Sequence, residues 1–297
     1  VPRLRANLRG GGWRRGELAI GAWSLAGDSA TDGLRLDLAG IAAPQPVLDA
    51  ATLDLSRAGS GWRLAGNLVR GETRAELQLV GDGAPFAVLA GEASPVVLRP
   101  TQGRLTSLSL RRKDERLLDL VAPAPWSVAA DALRWERACL RTVGAGQLCA
   151  AGSRSSEGEL AVDGTVERVG FVPLLDMMAS ALTFEPVLSG RFSLRQGDGP
   201  PSGALQLDLG AGYLRSREDP ELFVELGASR VDFLLDSGRL TRGVLDIPLP
   251  GVGSVDVDLA ASEVRLDGSG RLGGKARMDI DDLSALQLFV PDLDDVD

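Results

Sequence analysis

The feature that most limits how this chain can fold is an alternation of apolar and polar residues with a period of two, which recurs along the whole sequence. Residues i and i+2 of a β-strand point to the same face, so each alternating run predicts a strand with one apolar and one polar face. The clearest runs are those of Leu34, Leu36 and Leu38, of Leu205, Leu207 and Leu209, of Leu222, Val224 and Leu226, of Val231, Phe233 and Leu235, and of Val255, Val257 and Leu259. The sequence therefore predicts an all-β protein.

Short glycine-containing segments separate these runs about every ten residues and predict tight turns. Glycine takes up positive φ at no steric cost, and Asp-Gly favours hairpin turns. The segments are residues 10–12, 81–83, 197–199, 236–238 and 273–274. Nothing in the pattern is typical of an interdomain linker. We therefore expect residues 1–297 to form one elongated segment, a curled and mostly antiparallel sheet with a taco-like groove.

Two segments depart from the alternation and predict short amphipathic helices. In the first, near residues 173–183, Pro173 suits a first helical turn and apolar residues recur at helical spacing. In the second, near residues 282–290, acidic residues at the start suit a helix N-terminus, and Pro291 would end the helix.

The two cysteines, Cys139 and Cys149, are spaced as a pair that faces across a β-hairpin whose turn is residues 143–146. A disulfide between them would indicate an oxidising compartment such as the periplasm. The alternative is that they are two independent small residues of the core.

The residue types that carry most protein chemistry are missing or unsuitably arranged. Histidine is absent, which excludes Ser-His-Asp and Cys-His catalysis. Two cysteines without histidine cannot close a zinc site. The pairs Asp256 with Asp258 and Asp279 with Asp281 are open to a calcium or paired-carboxylate interpretation, but alternate strand positions that face solvent together explain them better. We predict no catalytic residue, no metal site and no cofactor.

Charge argues against nucleic acid as a partner, because the net charge is -9 and phosphates attract Lys and Arg. The tryptophans are scattered without the spacing of a base-stacking platform, and we assign them no function. They are Trp13, Trp23, Trp62, Trp126 and Trp135.

The sequence carries neither a signal peptide pattern at its start nor an apolar run of roughly eighteen residues that would span a membrane. Because a strand-like pattern begins at once and the last residues are acidic, we expect both ends to be cuts through a longer protein.

Residues 135–182 resemble the TamB family, the large subunit of the bacterial translocation and assembly module. The likeness rests on four stretches. They are W-E-R-A-C-L from Trp135, Q-L-C-A-A-G from Gln147, E-L-A-V-D-G-T-V from Glu159 and F-V-P-L-L-D-M-M from Phe171. The loose strand repeats along the whole chain are similar to those of TamB and of its wider AsmA-like relatives.

The resemblance implies a periplasmic β-structure with a hydrophobic groove, in a parent protein anchored in the Gram-negative inner membrane. It implies that phospholipids move between the inner and outer membranes, with a linked role in the assembly of outer-membrane proteins. It also implies an outer-membrane partner, the TamA-type barrel, which would be contacted by parts of the parent protein outside this fragment.

On this basis we expect phospholipid acyl chains to slide along the aliphatic strand faces. The lining would be Leu34, Leu36, Leu38, Leu205, Leu207, Leu209, Val255, Val257 and Leu259. The competing class is a structural or interaction protein, either a β-solenoid stalk with a filled interior or a chaperone-like scaffold that offers strand edges. An enzyme such as a β-rich glycosidase is the least favoured class.

Overall fold

The computed structural model describes residues 5–16, 18–28, 33–43, 45–82, 101–129, 132–170, 182–259, 262, 271 and 273–281. These residues form almost entirely antiparallel β-structure, so the prediction of an all-β fold is confirmed. The chain divides into two compact units, Val1–Arg141 and Thr142–Asp297, here called the N-unit and the C-unit. Each unit is described by itself.

The N-unit is built on one sheet in which strands adjacent in sequence are mostly adjacent in space. Its strands are β1 (Arg5–Arg15), β2 (Leu18–Asp28), β3 (Gly33–Ala43), β4 (Gln45–Ala58), β5 (Gly61–Arg70), β6 (Thr73–Asp82), β7 (Thr101–Arg112), β8 (Glu115–Leu120), β9 (Ala124–Ala129) and β10 (Ala132–Thr142). The strands from β1 to β7 pair antiparallel in order. Strand β8 folds back on β7, and β9 pairs with both β7 and β10.

The C-unit contains a main sheet and a smaller one. Its strands are β11 (Gln147–Arg154), β12 (Leu160–Gly170), β13 (Leu182–Phe184), β14 (Val187–Gln196), β15 (Ser202–Leu209), β16 (Gly212–Ser216), β17 (Phe223–Leu226), β18 (Ser229–Asp236), β19 (Arg239–Leu249), β20 (Gly253–Asp258) and β21 (Lys275–Ile280). The main sheet has the antiparallel order β11-β12-β14-β15-β18-β19-β20-β21. Strands β13, β16 and β17 form the small sheet.

Two β-bulges keep leucines on one face where the sequence alternation slips. On β7, Leu105 and Leu108 are three residues apart, yet both pair with leucines of β6, because Thr106 is an extra residue in the ladder. On β19, Thr241 is the extra residue in the same way. Each threonine hydroxyl donates to a carbonyl of the neighbouring strand, that of Gln78 at 3.3 Å and that of Leu234 at 3.2 Å. Each bulge thus restores the phase of the apolar positions.

Cys139 on β10 and Cys149 on β11 form a disulfide, as the hairpin spacing predicts. A single 3-10 turn, Val143–Ala145, follows β10, and the Thr142 N–H donates to the Gly146 carbonyl at 2.8 Å. The turn relies on positive φ at Gly144 and Ala145.

The helix predicted at 282–290 lies outside the described residues. Of the helix predicted at 173–183, residues 173–181 lie outside them as well. Leu182 and Thr183, at the end of the segment predicted as a helix at 173–183, belong to strand β13. Within the described part of the chain, no helix has the length and apolar character needed to cross a bilayer.

The predicted turn at residues 10–12 is wrong, because these glycines lie inside strand β1. Gly10 is directly opposite Trp23 on β2, and a Cβ added to Gly10 would come within 2.5 Å of the indole ring. The indole therefore covers a backbone position that has no side chain of its own. An aromatic ring placed over a cross-strand glycine compensates for the glycine's lack of packing surface, so the strand continues through it.

The same pairing recurs three more times. Trp62 covers Gly81, Trp126 covers Gly103, and Phe192 covers Gly164, in each case from the directly opposed position on the adjacent strand. The rings of Trp62 and Trp126 reach toward each other across the two glycines, with centroids 5.7 Å apart. These aromatic–glycine pairs can be recognised in the sequence only when the strand register is already known.

We predict that Gly103→Ala destabilises the N-unit by about 1–3 kcal/mol, because the new methyl would overlap the Val80 carbonyl oxygen and the Trp126 ring. Gly27→Ala, on β2 of the same unit, where an added Cβ would come no closer than 3.4 Å to Leu34, is the matched control and should not destabilise the N-unit. Urea unfolding followed by tryptophan fluorescence measures this, since all five tryptophans lie in the N-unit. Equal stability of the two variants would contradict the packing role of the indole.

Candidate functional site

The register of the N-unit aligns its leucines into rows that cross the sheet. Directly opposed residues of antiparallel strands point to the same face, so each row lies on one side. The central row, one residue from each of β1 to β7, is Leu8, Leu25, Leu36, Leu53, Gly66, Leu77 and Leu108. A flanking row from β2 to β7 and β9 is Gly27, Leu34, Leu55, Leu64, Leu79, Leu105 and Ala124. These rows define the aliphatic face of the N-unit, and the central one spans about 29 Å at the usual strand spacing.

The aliphatic face is only half-buried. Among the described residues of the N-unit, the fully buried hydrophobic residues are Ala51, Leu117 and Ala124. The leucines of the central row are half-buried, except Leu8, which is 55% exposed. A sheet face covered by a second layer would bury such residues nearly completely. The leucines therefore shield one another from water but leave their outer surface accessible.

The C-unit main sheet repeats this arrangement across all eight of its strands. Its central row is Leu148, Val166, Gly190, Leu207, Val231, Leu245, Val257 and Ala276. Leu205 and Leu209 share the face of Leu207 by strand alternation. Leu209 is fully buried, whereas Leu205 and Leu207 are half-buried.

The predicted lining residues thus fall on one aliphatic face within each unit. Leu34, Leu36 and Leu38 lie on that of the N-unit, and the residues of the 205–209 and 255–259 runs lie on that of the C-unit. Leu259 directly follows β20 and donates its N–H to the Gly243 carbonyl at 2.7 Å. That these residues line a lipid groove stays a prediction.

The small sheet covers one part of the C-unit aliphatic face, which sequence reasoning missed. Val224 and Leu226 on β17 form a buried cluster with Leu249 of β19. Partly buried side chains from both sheets pack against this cluster, and they are Phe184, Leu214, Leu222, Ile247, Val252 and Val255. Val255, a predicted lining residue, therefore packs beneath the small sheet. Strand patterning shows that residues 222–226 have an apolar face but not what it covers.

The opposite faces of both sheets are mostly polar, although Leu234 and Val244 are exposed on that of the C-unit, and they carry ion pairs between neighbouring strands. In the C-unit the pairs are Arg195 with Asp163 at 2.9 Å, Arg230 with Asp208 at 2.9 Å and Arg242 with Asp232 at 3.2 Å. The predicted solvent-facing pair Asp256 and Asp258 is exposed on β20. Among the described residues, no group of three or more His, Cys, Asp or Glu side chains converges to hold a metal ion.

Asp37, on the N-unit polar face, is held by hydrogen bonds from three other side chains. It accepts hydrogen bonds from Arg35 Nε at 3.1 Å, from Thr52 Oγ1 at 3.0 Å and from Ser24 Oγ at 3.2 Å, so it ties together β2, β3 and β4. The hydrogen bond from Arg35 is the main reason that the pKa of Asp37 lies below its ordinary value, and burial opposes the shift.

We predict that Asp37→Asn weakens the N-unit at pH 7 by less than about 1 kcal/mol, because the Arg35 interaction is partly solvent-exposed. A carboxylate with a lowered pKa in the folded state stabilises that state above the pKa of the unfolded chain. The difference between the variant and the original protein should therefore shrink below about pH 4 and vanish as the pH falls through the folded pKa. Urea midpoints from pH 3 to pH 7 test this.

Asp114→Asn is the matched control for this pH dependence. Asp114 is exposed in the turn between β7 and β8 and makes no ion pair with another described residue. A gap between Asp37→Asn and the original protein that stays constant from pH 7 to pH 3 would contradict the role given to the Asp37 charge.

Comparison of the chain with protein-family models, with curated proteins and with solved structures finds no match.

The contrast between covered and uncovered leucines can be measured. We predict that Leu226→Ala lowers the free energy of unfolding by about 2–5 kcal/mol, because Leu226 is only 5% exposed within the cluster between the two sheets. Leu207→Ala, in the half-buried row of the same unit, should cost no more than about 1–2 kcal/mol. Urea unfolding followed by far-UV circular dichroism provides both values. If the two losses were the same, Leu207 would be packed as a core residue and the C-unit face would be filled.

Proposed function

We propose that the aliphatic faces carry the acyl chains of phospholipids as these move through the periplasm between the inner and outer membranes. The observation that supports this most directly is the central row of the N-unit, which continues through seven strands while its leucines stay half-buried. A contiguous apolar surface of that extent on a folded protein is typical of a binding site.

The energetics suit a mobile apolar ligand. Each methylene that leaves water for an aliphatic surface contributes about 0.8 kcal/mol, so an acyl chain lying on the leucines is held by many small and equivalent contributions. The rows are uniform in chemistry, since they contain leucine, alanine, valine and glycine with few interruptions. A chain displaced by one strand meets the same surface again, and the ligand can therefore slide without a strong preferred position.

The setting of the proposal comes from the disulfide and the family resemblance. The bond between Cys139 and Cys149 is compatible with an oxidising compartment such as the periplasm. The likeness of residues 135–182 to the TamB family supports a parent protein anchored in the inner membrane, a TamA-type barrel as its partner and a linked role in outer-membrane protein assembly. In this proposal the chain performs no covalent chemistry.

Strand alternation supplies a matched control for the test. A photo-crosslinking amino acid is placed at Leu36 and at Leu207, and in separate variants at Arg35 and at Asp208. Each control residue is the adjacent residue of the same strand and points to the opposite, polar face. The full chain is expressed in a bacterial periplasm, irradiated, and analysed by mass spectrometry for lipid adducts.

We expect phospholipid adducts at Leu36 and Leu207 to exceed those at Arg35 and Asp208 several-fold. A correctly folded protein without adducts at either leucine would favour a filled β-stalk. Adducts with polypeptide instead of lipid would favour a chaperone-like scaffold. Either result would overturn the transport proposal for these faces.

A further inference from the structure

Three arginines stand side by side on the polar face of the N-unit, on three neighbouring strands. Arg74 of β6 is directly opposite Arg111 of β7, and Arg111 is directly opposite Arg116 of β8. Arg111 points to the polar face because it is three positions from Leu108 of the central leucine row. Directly opposed residues share a face, with Cβ atoms about 4.5–5.5 Å apart. The three residues are called the arginine ladder.

The sheet brings these like charges together at a cost. Like charges directly opposite each other destabilise a pair of strands. A β-bulge creates one of the two contacts, because Leu117 is an extra residue on β8 and its presence puts Arg116 opposite Arg111. Without the bulge, Leu117 itself would take that position. Bulges re-aim side chains and are frequent next to functional sites, so the local structure favours a functional ladder.

Nearby acidic residues neutralise only one end of the ladder. Asp119 pairs with Arg116, with 3.2 Å between Oδ2 and Nη1. Glu72, in the turn before β6, pairs with Lys113 at 3.3 Å. These two acidic side chains are therefore already engaged.

Arg74 and Arg111 have no such partner. Neither forms a hydrogen bond or an ion pair with another residue of the described ranges. Glu76 lies two residues beyond Arg74 on the same face of β6, yet it too forms no ion pair within those ranges. The residue beside Arg111 on its own strand face is Ser109, which carries no charge. The middle of the ladder thus holds uncompensated positive charge in a chain whose net charge is -9.

The guanidinium of Arg111 is half-covered by the protein. Its Nε is buried and donates to no described atom, whereas Nη1 and Nη2 are not buried. A partly buried charge without a counter-charge is unfavourable, and an anion at the surface would compensate it. Such an anion can approach only through the two terminal nitrogens, which form the fork that binds oxyanions.

From these observations we infer that the arginine ladder binds a phosphate group between Arg111 and Arg74. The oxygens of a phosphate can accept from both guanidinium groups at once, whereas the two oxygens of a carboxylate are used up by one guanidinium fork. The group could belong to a soluble phosphate compound or to a lipid headgroup, since both present the same oxygens. The ladder lies on the face opposite the leucine rows, so it is a second site, separate from that of the acyl chains.

The test measures phosphate binding to the full chain. Inorganic phosphate is titrated at constant ionic strength, made up with sodium chloride because salt screens exposed charges, and the ³¹P chemical shift gives Kd. Arg111→Gln and Arg74→Gln remove members of the ladder. Arg104→Gln is the matched control, because Arg104 is exposed on the same face of β7 and unpaired within the described ranges, but is opposite Val80. Circular dichroism verifies that each variant is folded.

We expect Arg111→Gln to weaken phosphate binding at least about tenfold, equivalent to about 1.4 kcal/mol, and Arg74→Gln at least about threefold. Arg104→Gln should bind as the original protein does. In phosphate-free buffer, Arg111→Gln should unfold at a urea concentration no lower than the original protein, because the substitution removes repulsion. An arginine that only held the strands together would lower that midpoint. Equal phosphate affinity of Arg111→Gln and the original protein would overturn the inference.

Sodium acetate tests the class of anion. If acetate displaced phosphate at equal concentration and ionic strength, the ladder would attract any anion and its assignment to phosphate would be wrong.

Two further probes identify the source of the phosphate group. Glycerol 3-phosphate represents a soluble compound, and vesicles of phosphatidylcholine with and without phosphatidic acid represent a membrane lipid. Binding that depends on Arg111 and occurs with only one probe assigns the site to that source. If neither probe nor inorganic phosphate bound, the ladder would hold no phosphate, and the proposal for the acyl chains would be unaffected because its crosslinks lie on the other face.

Discussion

Everything in this protein depends on cross-strand register. A strand with alternating apolar residues has a defined apolar face, but a sheet acquires one only if every neighbouring strand is paired in phase. Leu25, Leu36 and Leu53 are directly opposed on three successive strands, so their side chains form a row. A slip of one residue in any pair would send every leucine beyond it to the polar side. The ion pairs and hydroxyl contacts of the opposite face, such as those of Asp37, reinforce the same register.

The alternating runs explain why the fold class could be predicted from the sequence. Runs such as Leu205, Leu207 and Leu209 indicate strands because no helix brings residues i and i+2 together. The cysteine spacing was equally informative, since two residues that face each other across a hairpin must lie about equally far from its turn. Both inferences use only local chain geometry, and local geometry is what a single sequence encodes most directly.

The sequence was misleading where strands interact. The glycines at 10–12 indicate a turn by themselves, and only the register shows that Trp23 lies over Gly10 and lets β1 continue. The bulge at Thr106 also becomes visible only in the paired strands. Leu105 and Leu108 are out of phase along β7, but the extra residue between them brings both opposite leucines of β6. The tryptophans looked scattered for this reason as well. Trp62 and Trp126 are 64 positions apart in the sequence, but their rings come together over Gly81 of β6 and Gly103 of β7.

The candidate site was also predictable only in the part that a single strand encodes, and not in the part that packing between elements decides. Strand patterning identifies which residues share a face, yet it cannot tell a face that binds a ligand from one that is covered by protein. The C-unit contains both cases on a single sheet, because Leu226 and Leu249 are buried between two layers whereas Leu207 is half-buried in one. The small sheet closes over Val255 and leaves the row of Leu207 accessible, so an acyl chain on the C-unit face would reach a boundary at β19 and β20. In the N-unit the boundary is of another kind, since the leucine rows are followed on the same face by the ring pair of Trp62 and Trp126.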